Sequence, residues 1–237
     1  MTYTTINKSS DYFNTKLYTG NNGTQSITGV GHQPDLIWVK ARNDTANNTL
    51  TDVIRGTNSV LYTNQTQAPD TPTNAITSFD SDGFSVGSNG SFNANSINYA
   101  SWNWKAGTSV SGNTTGSGTS KTYTGSVNTT SGFSITKFVG NGTAGHTIPH
   151  NLGAVPKIII LKDLQDTTHW NVYTEATGNT RSLLLTDAGV GGTSSGYWNN
   201  TTPTSSVFTL GSDIDLNGND GNFIAYCFAE KTGYSKF

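Results

Sequence analysis

The chain writes one strand twice. "GHQPDLIWVK" at residues 31–40 returns as "GAVPKIIILK" at 153–162, each with a glycine, a proline, an apolar run and a lysine. The same echo runs through the rest of the sequence. Phe13 and Phe133, Tyr18 and Phe138, and Gly20-Asn21 and Gly140-Asn141 all stand 120 residues apart. The spacing widens to 122 at Pro34/Pro156 and Lys40/Lys162. It reaches 124 where "FSVGS" (84–88) meets "FTLGS" (208–212) and "YASWNW" (99–104) meets "FIAYCF" (223–228). Two small insertions account for the drift, and the landmarks never change order. A tandem duplication of this kind predicts one module built twice, and it weighs against an active centre made of residues that occur once.

Within each copy the local pattern is that of strands. Phe13, Thr15 and Leu17 alternate with polar neighbours, as do Phe133 and Ile135, which suits half-buried strands. "LIWVK" and "IIILK" are short apolar runs after a proline, the pattern of central strands. Trp102 and Trp104 lie two apart and share a face, as do Tyr226 and Phe228. "LTDVIRG" (50–56) places Leu50, Val53 and Ile54 at helical spacing, but its counterpart "WNVYTEATG" (170–178) alternates, so a strand is preferred in both. The expected fold is all-β, two tandem homologous antiparallel β-sandwich (jelly-roll-like) domains over residues 1–105 and 122–231. Between them "AGTSVSGNTTGSGTSK" (106–121) has the composition of a flexible connector. The end of the chain, 232–237, carries Thr232-Gly233-Tyr234-Ser235, an echo of Ser131-Gly132-Phe133-Ser134. It reads either as a short tail pairing back on the second domain or as the truncated start of a third copy that adds as a strand to a neighbouring subunit.

Charge narrows the partners. Charged residues make up 12 % of the chain, the formal net charge is −2, and the 13 Lys and Arg are scattered singly. Nothing there follows a phosphate backbone, so nucleic acid is not an expected partner. No apolar run approaches the ~20 residues of a membrane helix, and no membrane insertion is expected. "MTYTTINKSSDYF" at the amino end lacks the basic and apolar segments of a secretory signal. The single cysteine, Cys227, cannot form an internal disulfide and reads as a small buried hydrophobe.

Catalytic motifs are sparse. No nucleophile elbow, phosphate-cradling loop or paired-cysteine zinc spacing occurs. His146 and His150 have the spacing of two metal ligands on a helix, but Pro149 and the nearby glycines favour a loop in which both are hydrogen-bonded locally. The acidic positions of one copy are not kept in the other, which counts against a paired-carboxylate glycosidase. "DIDLNG" (213–218) fits the first half of a calcium loop, with Asp213, Asp215 and Asn217 alternating before Gly218. The twelfth position is Ile224 in place of the bidentate glutamate, so a plain hairpin loop competes with that calcium reading. Among the five tryptophans, Trp38, Trp102 and Trp104 fall in the strongest strands and are expected in the core. Trp170 and Trp198 sit in more polar surroundings and are the better candidates for an exposed glycan-binding platform, although a structural role is the first reading for them too.

The chain resembles repeated domains of uncharacterised function in marine bacteriophage virion structural proteins. The resemblance is carried by "DYFNTKLYTGNNGTQSITGVGHQPDLIWVK" (11–40), "FDSDGFSVGS" (79–88), "YASWNWKAG" (99–107), "WNNTTPTSSVFTLGS" (198–212) and "IAYCFAEKTGYSKF" (224–237). His32 departs from it, standing where those relatives tend to carry an aromatic residue. The resemblance implies a virion component, a tail-fibre or other structural protein without catalytic residues. Because the sequence shows no heptad region for a trimeric fibre shaft, the preferred reading is a non-catalytic role on the particle exterior, as head decoration or accessory subunit. A tail-fibre or receptor-binding role is the alternative. The implied partners are other virion proteins, further copies of the chain and, for the alternative, a host surface glycan. No catalytic residue and no cofactor come with it.

Overall fold

A computed structural model describes residues 4–186 and 191–237; Met1–Tyr3, the opening of the first expected domain, lie outside the described residues. Strands take 41 % of the chain and helices 7 %, which makes the fold all-β. Every strand pairing among the described residues is antiparallel, as short strands joined by Gly- and Asn-rich turns require. The chain divides into two compact units, Asn7–Ala106 and Gly107–Phe237, with residues 4–6 grouping with the second.

The first unit holds β1 (Phe13–Thr19), β2 (Gln25–Thr28), β3 (Leu36–Ala41), β4 (Thr49–Asp52), β5 (Leu61–Tyr62), β6 (Ile76–Asp80), β7 (Gly83–Val86), the single turn α1 (Gly90–Asn93) and β8 (Asn98–Trp104). Its strands form a sheet in the order β1-β8-β3-β4-β5 and a smaller one in the order β2-β7-β6. Ile37, Val39 and Tyr99 from the larger sheet meet Ile27, Phe84 and Val86 from the smaller, with Phe92 of α1 closing the core. Burying each such side chain stabilises the unit by about 1.5–3 kcal/mol before entropy is counted.

The second unit holds β9 (Thr108–Asn113), β10 (Thr115–Gly116), β11 (Thr122–Asn128), β12 (Phe133–Val139), β13 (His146–Pro149), β14 (Pro156–Asp163), β15 (Asn171–Thr174), β16 (Leu183–Leu184), α2 (Ser195–Trp198), β17 (Val207–Leu210), α3 (Ile214–Asn217) and β18 (Asn222–Ala229). The sheet orders are β16-β15-β14-β18-β12-β11-β9 and β10-β13-β17. A separate core lies between them, with Phe138, Ile159, Leu161 and Phe223 facing Ile148, Phe208 and Leu210. Each unit is thus β-sandwich-like, two sheets over one apolar layer.

Pairing registers match between the units at the sequence landmarks. Trp38 faces Trp102 on β3 and β8, and Ile160 faces Tyr226 on β14 and β18. Phe13 faces Trp104, and Phe133 faces Phe228. Leu50 faces Leu61 on β4 and β5, and Val172 faces Leu183 on β15 and β16. Across the smaller sheets Ile27 faces Phe84, and Ile148 faces Phe208.

Four expectations need correction or refinement. Residues 106–121 do not form a flexible connector: β9 pairs with β11 from Thr108↔Val127 to Asn113↔Thr122, and β10 pairs with β13. Alternating Thr, Ser and Val suit an edge strand as well as a linker, and composition alone could not separate the two. "LTDVIRG" is strand through Asp52 and then a turn. Asp52 Oδ1 accepts from the Ile54 and Arg55 backbone N–H groups, while Arg55 Nε donates to Asp52 Oδ2 at 2.6 Å. Trp38, Trp102 and Trp104 are only half-buried and lie outside their unit's core, because the alternation puts Ile37, Val39, Ser101 and Asn103 on the inner face instead. The end of the chain folds back locally: Lys231 bridges to Ser235, and the Phe237 ring lies 6.1 Å from that of Phe228.

Candidate functional site

The densest polar constellation lies where β12, β13 and α3 converge, and Asn217 is its centre. Its Nδ2 donates to Thr143 O at 3.0 Å and to Gly211 O at 2.8 Å. Its Oδ1 accepts from the Asn141 backbone N–H at 3.1 Å and from His146 Nδ1 at 2.8 Å. His146 Nε2 then accepts from the Thr114 hydroxyl at 2.7 Å. Asn217, His146 and Thr114 are completely buried. The close approach of chains here also explains the Gly-Asn landmark, since a Cβ on Gly140 would lie 2.3 Å from Gly218 O.

The first unit builds the same hub without the histidine. Asn93 at the end of α1 donates to Asn21 Oδ1, Gly23 O and Gly87 O, and accepts from the Asn21 backbone N–H. The sequence did hold a signal for it. "SNGSFNA" and "SDIDLNG" align at 124 residues, and asparagines 93 and 217 survive where the acids do not.

This geometry corrects the calcium reading. Asn217 is turned inward, and its one side-chain oxygen already accepts two hydrogen bonds, which leaves it no lone pair for a cation. Asp213 caps the one-turn helix α3 through the Asp215 backbone N–H at 2.9 Å, as Asn89 caps α1 through Ser91. Asn217 therefore does not join Asp213 and Asp215 around a cation. Among the described residues no group of three or more His, Cys, Asp or Glu is placed to hold a metal.

The glycan reading of the tryptophans is corrected as well. Trp170 is completely buried, its ring stacked over Tyr226 with centroids 6.5 Å apart. Trp198 is 1 % exposed and meets Tyr173 and Phe208 edge-on. Neither offers a ring face to a sugar. Polar neighbours in sequence misled, because Ser194 and Asn199 are the caps of α2 and the helix between them turns Trp198 into the core.

The expected loop with local bonding is corrected: His146 lies on β13 and bonds Asn217 and Thr114, both distant in sequence. His150 Nε2 donates to Thr204 O at 3.1 Å across 54 residues; only His150 Nδ1 bonds locally, accepting from the Leu152 backbone N–H at 3.2 Å. Burial lowers the pKa of both His146 and His150 below the ordinary histidine value. Every nitrogen of both rings is engaged in a hydrogen bond. His32 is buried too, its Nδ1 2.8 Å from Ser10 O, and burial lowers it likewise.

The repeated lysine is structural in both units. Lys40 Nζ donates to Ala46 O at 2.6 Å. Lys162, completely buried, donates to Asp163 O, Asp166 O and Thr168 Oγ1. Each ties down the loop that follows its strand. Burial pushes the Lys162 ammonium down to about 8, with Asp163, Asp215 and Asp166 opposing.

The class defined by this fold is an all-β protein of β-sandwich-like units whose buried polar groups hold loops and sheet corners together. The chain belongs to the family described as Domain of unknown function (DUF7483), whose family model matches residues 8–237. Comparison with curated proteins and with solved structures found no match.

Proposed function

We propose that the protein is a non-catalytic structural component of a bacteriophage particle, displayed on its exterior as a head-decoration or accessory subunit and built from two copies of one module. The observation that carries the reading is the shared register at the landmark pairs, with the polar hub repeated at Asn93 and Asn217. In both copies the residues able to do chemistry are spent on architecture: asparagine on the hub, lysine on a loop, the second copy's histidine on the asparagine. Stable modules of this kind present surface and hold contacts. The particle itself is inferred from the sequence resemblance to marine phage virion proteins.

The receptor-binding alternative has lost its best support, since Trp170 and Trp198 are interior. Quantitative mass spectrometry of purified particles tests the proposal. Hundreds of copies per particle fit head decoration, and about a dozen fit a tail position, as closed symmetric assembly requires. Absence from purified particles would overturn it.

A further inference from the structure

The edge strand β1 differs from its counterpart in what lies beside it. Among the described residues β1 pairs only with β8. Gly20 N donates to Ile97 O and Lys105 N donates to Tyr12 O, just beyond the two ends of that pairing. The alternation of an antiparallel ladder then turns the backbone groups of Asn14, Lys16 and Tyr18 toward β8. Those of Phe13, Thr15, Leu17 and Thr19 face outward. In the second unit the equivalent β12 residues, Phe133, Ile135 and Lys137, lie opposite Asn128, Ser126 and Thr124 of β11. What β11 covers in one unit has no strand beside it among the described residues of the other.

The open edge is weakly guarded. Asn14 Oδ1 accepts from the Thr15 N–H, and Gln25 Nε2 donates to Thr19 O. Lys16, the one charge on the strand, reaches back to Gly29 O. Leu17 stands 62 % exposed at the edge. A long edge strand whose outward groups are engaged only by exposed side chains that another strand can displace, with an exposed aliphatic side chain beside them, is a template for another strand.

We propose that β1 is a self-association edge, pairing antiparallel with β1 of a second copy about a two-fold axis at Thr15. That register matches outward groups to outward groups. It sets Leu17 against the partner's Phe13, an apolar pair, and Lys16 opposite the partner's Asn14. A centre at Lys16 would oppose two ammonium groups, and a centre at Leu17 would leave Phe13 beyond the pairing. The contact is isologous and closes as a dimer. It stands independently of the particle assignment.

Sedimentation of the full chain from about 1 to 200 µM, the range in which a modest interface titrates, tests this. The weight-average mass is expected to rise from one chain toward two. Thr15→Pro removes one outward N–H and leaves every bond to β8, and Leu17→Lys places a charge at the apolar pair. Each is expected to hold the mass at one chain, with an unchanged urea midpoint showing that the fold is intact. Because Leu17 is a surface side chain, Leu17→Lys decides the matter if Thr15→Pro lowers that midpoint. A wild-type chain that stays monomeric overturns the proposal, as does association that survives Leu17→Lys. Association lost on deleting 232–237 but kept in both variants overturns it too, and moves the contact to the chain end.

Discussion

Asn217 shows how much one buried side chain holds. Replacing it with alanine strands Thr143 O, Gly211 O, the Asn141 N–H and His146 Nδ1 together. Leaving buried groups unpaired costs about 1–3 kcal/mol each, partly recovered by relaxation, so Asn217→Ala is expected to lose about 3 kcal/mol in urea denaturation. Because that oxygen has no capacity left, millimolar calcium and a chelator are expected to give the same melting temperature; a calcium-dependent rise would restore the cation reading. The histidines set a pH dependence. His32, His146 and His150 all have folded pKa values below the ordinary one, from burial. The unfolded chain therefore takes up protons first as pH falls through about 6.5. The histidines' contribution to stability is full above that pH and declines below it. Urea midpoints at pH 7 and pH 5 are expected to differ in that direction, and His150→Gln should flatten the difference.

At the scale of elements, alternation was read correctly and its phase was not. The sequence marks β3, β8, β14 and β18 by their apolar and aromatic content, but β3 meets β8 and β14 meets β18 only across long intervening stretches of chain. It does not say which face looks at the core. On β8 the inner positions are Ser101 and Asn103, whose groups bond to Lys16 O, Asn14 O and each other, so polar residues face inward and tryptophans do not. Packing against the smaller sheet set the phase, a contact distant in sequence. The two tryptophan classes should separate on truncation. Trp198→Ala is expected to cost about 3–5 kcal/mol, as for a large buried ring, and Trp38→Ala clearly less. Equal losses in chemical denaturation would contradict the burial difference. The connector was misjudged for a related reason: Thr108–Asn113 is a strand only because β11 offers it an edge.

For the whole molecule, two apolar clusters that share no residue imply units stabilised independently. Residues 107–237, expressed alone, are expected to unfold in one cooperative transition, followed by circular dichroism; a non-cooperative melt would show that the core between β14 and β17 does not suffice. The sequence by itself determined the strand content, the duplicated order of landmarks and the scarcity of catalytic motifs, because periodicity and repetition are written in local spacing. Only the tertiary structure decided that Trp170 and Trp198 are interior, that Asn93 and Asn217 are hubs and that, among the described residues, β1 ends a sheet which β12 continues. Each of those depends on which distant backbone arrives beside a residue, and burial and hydrogen bonding are properties of that meeting.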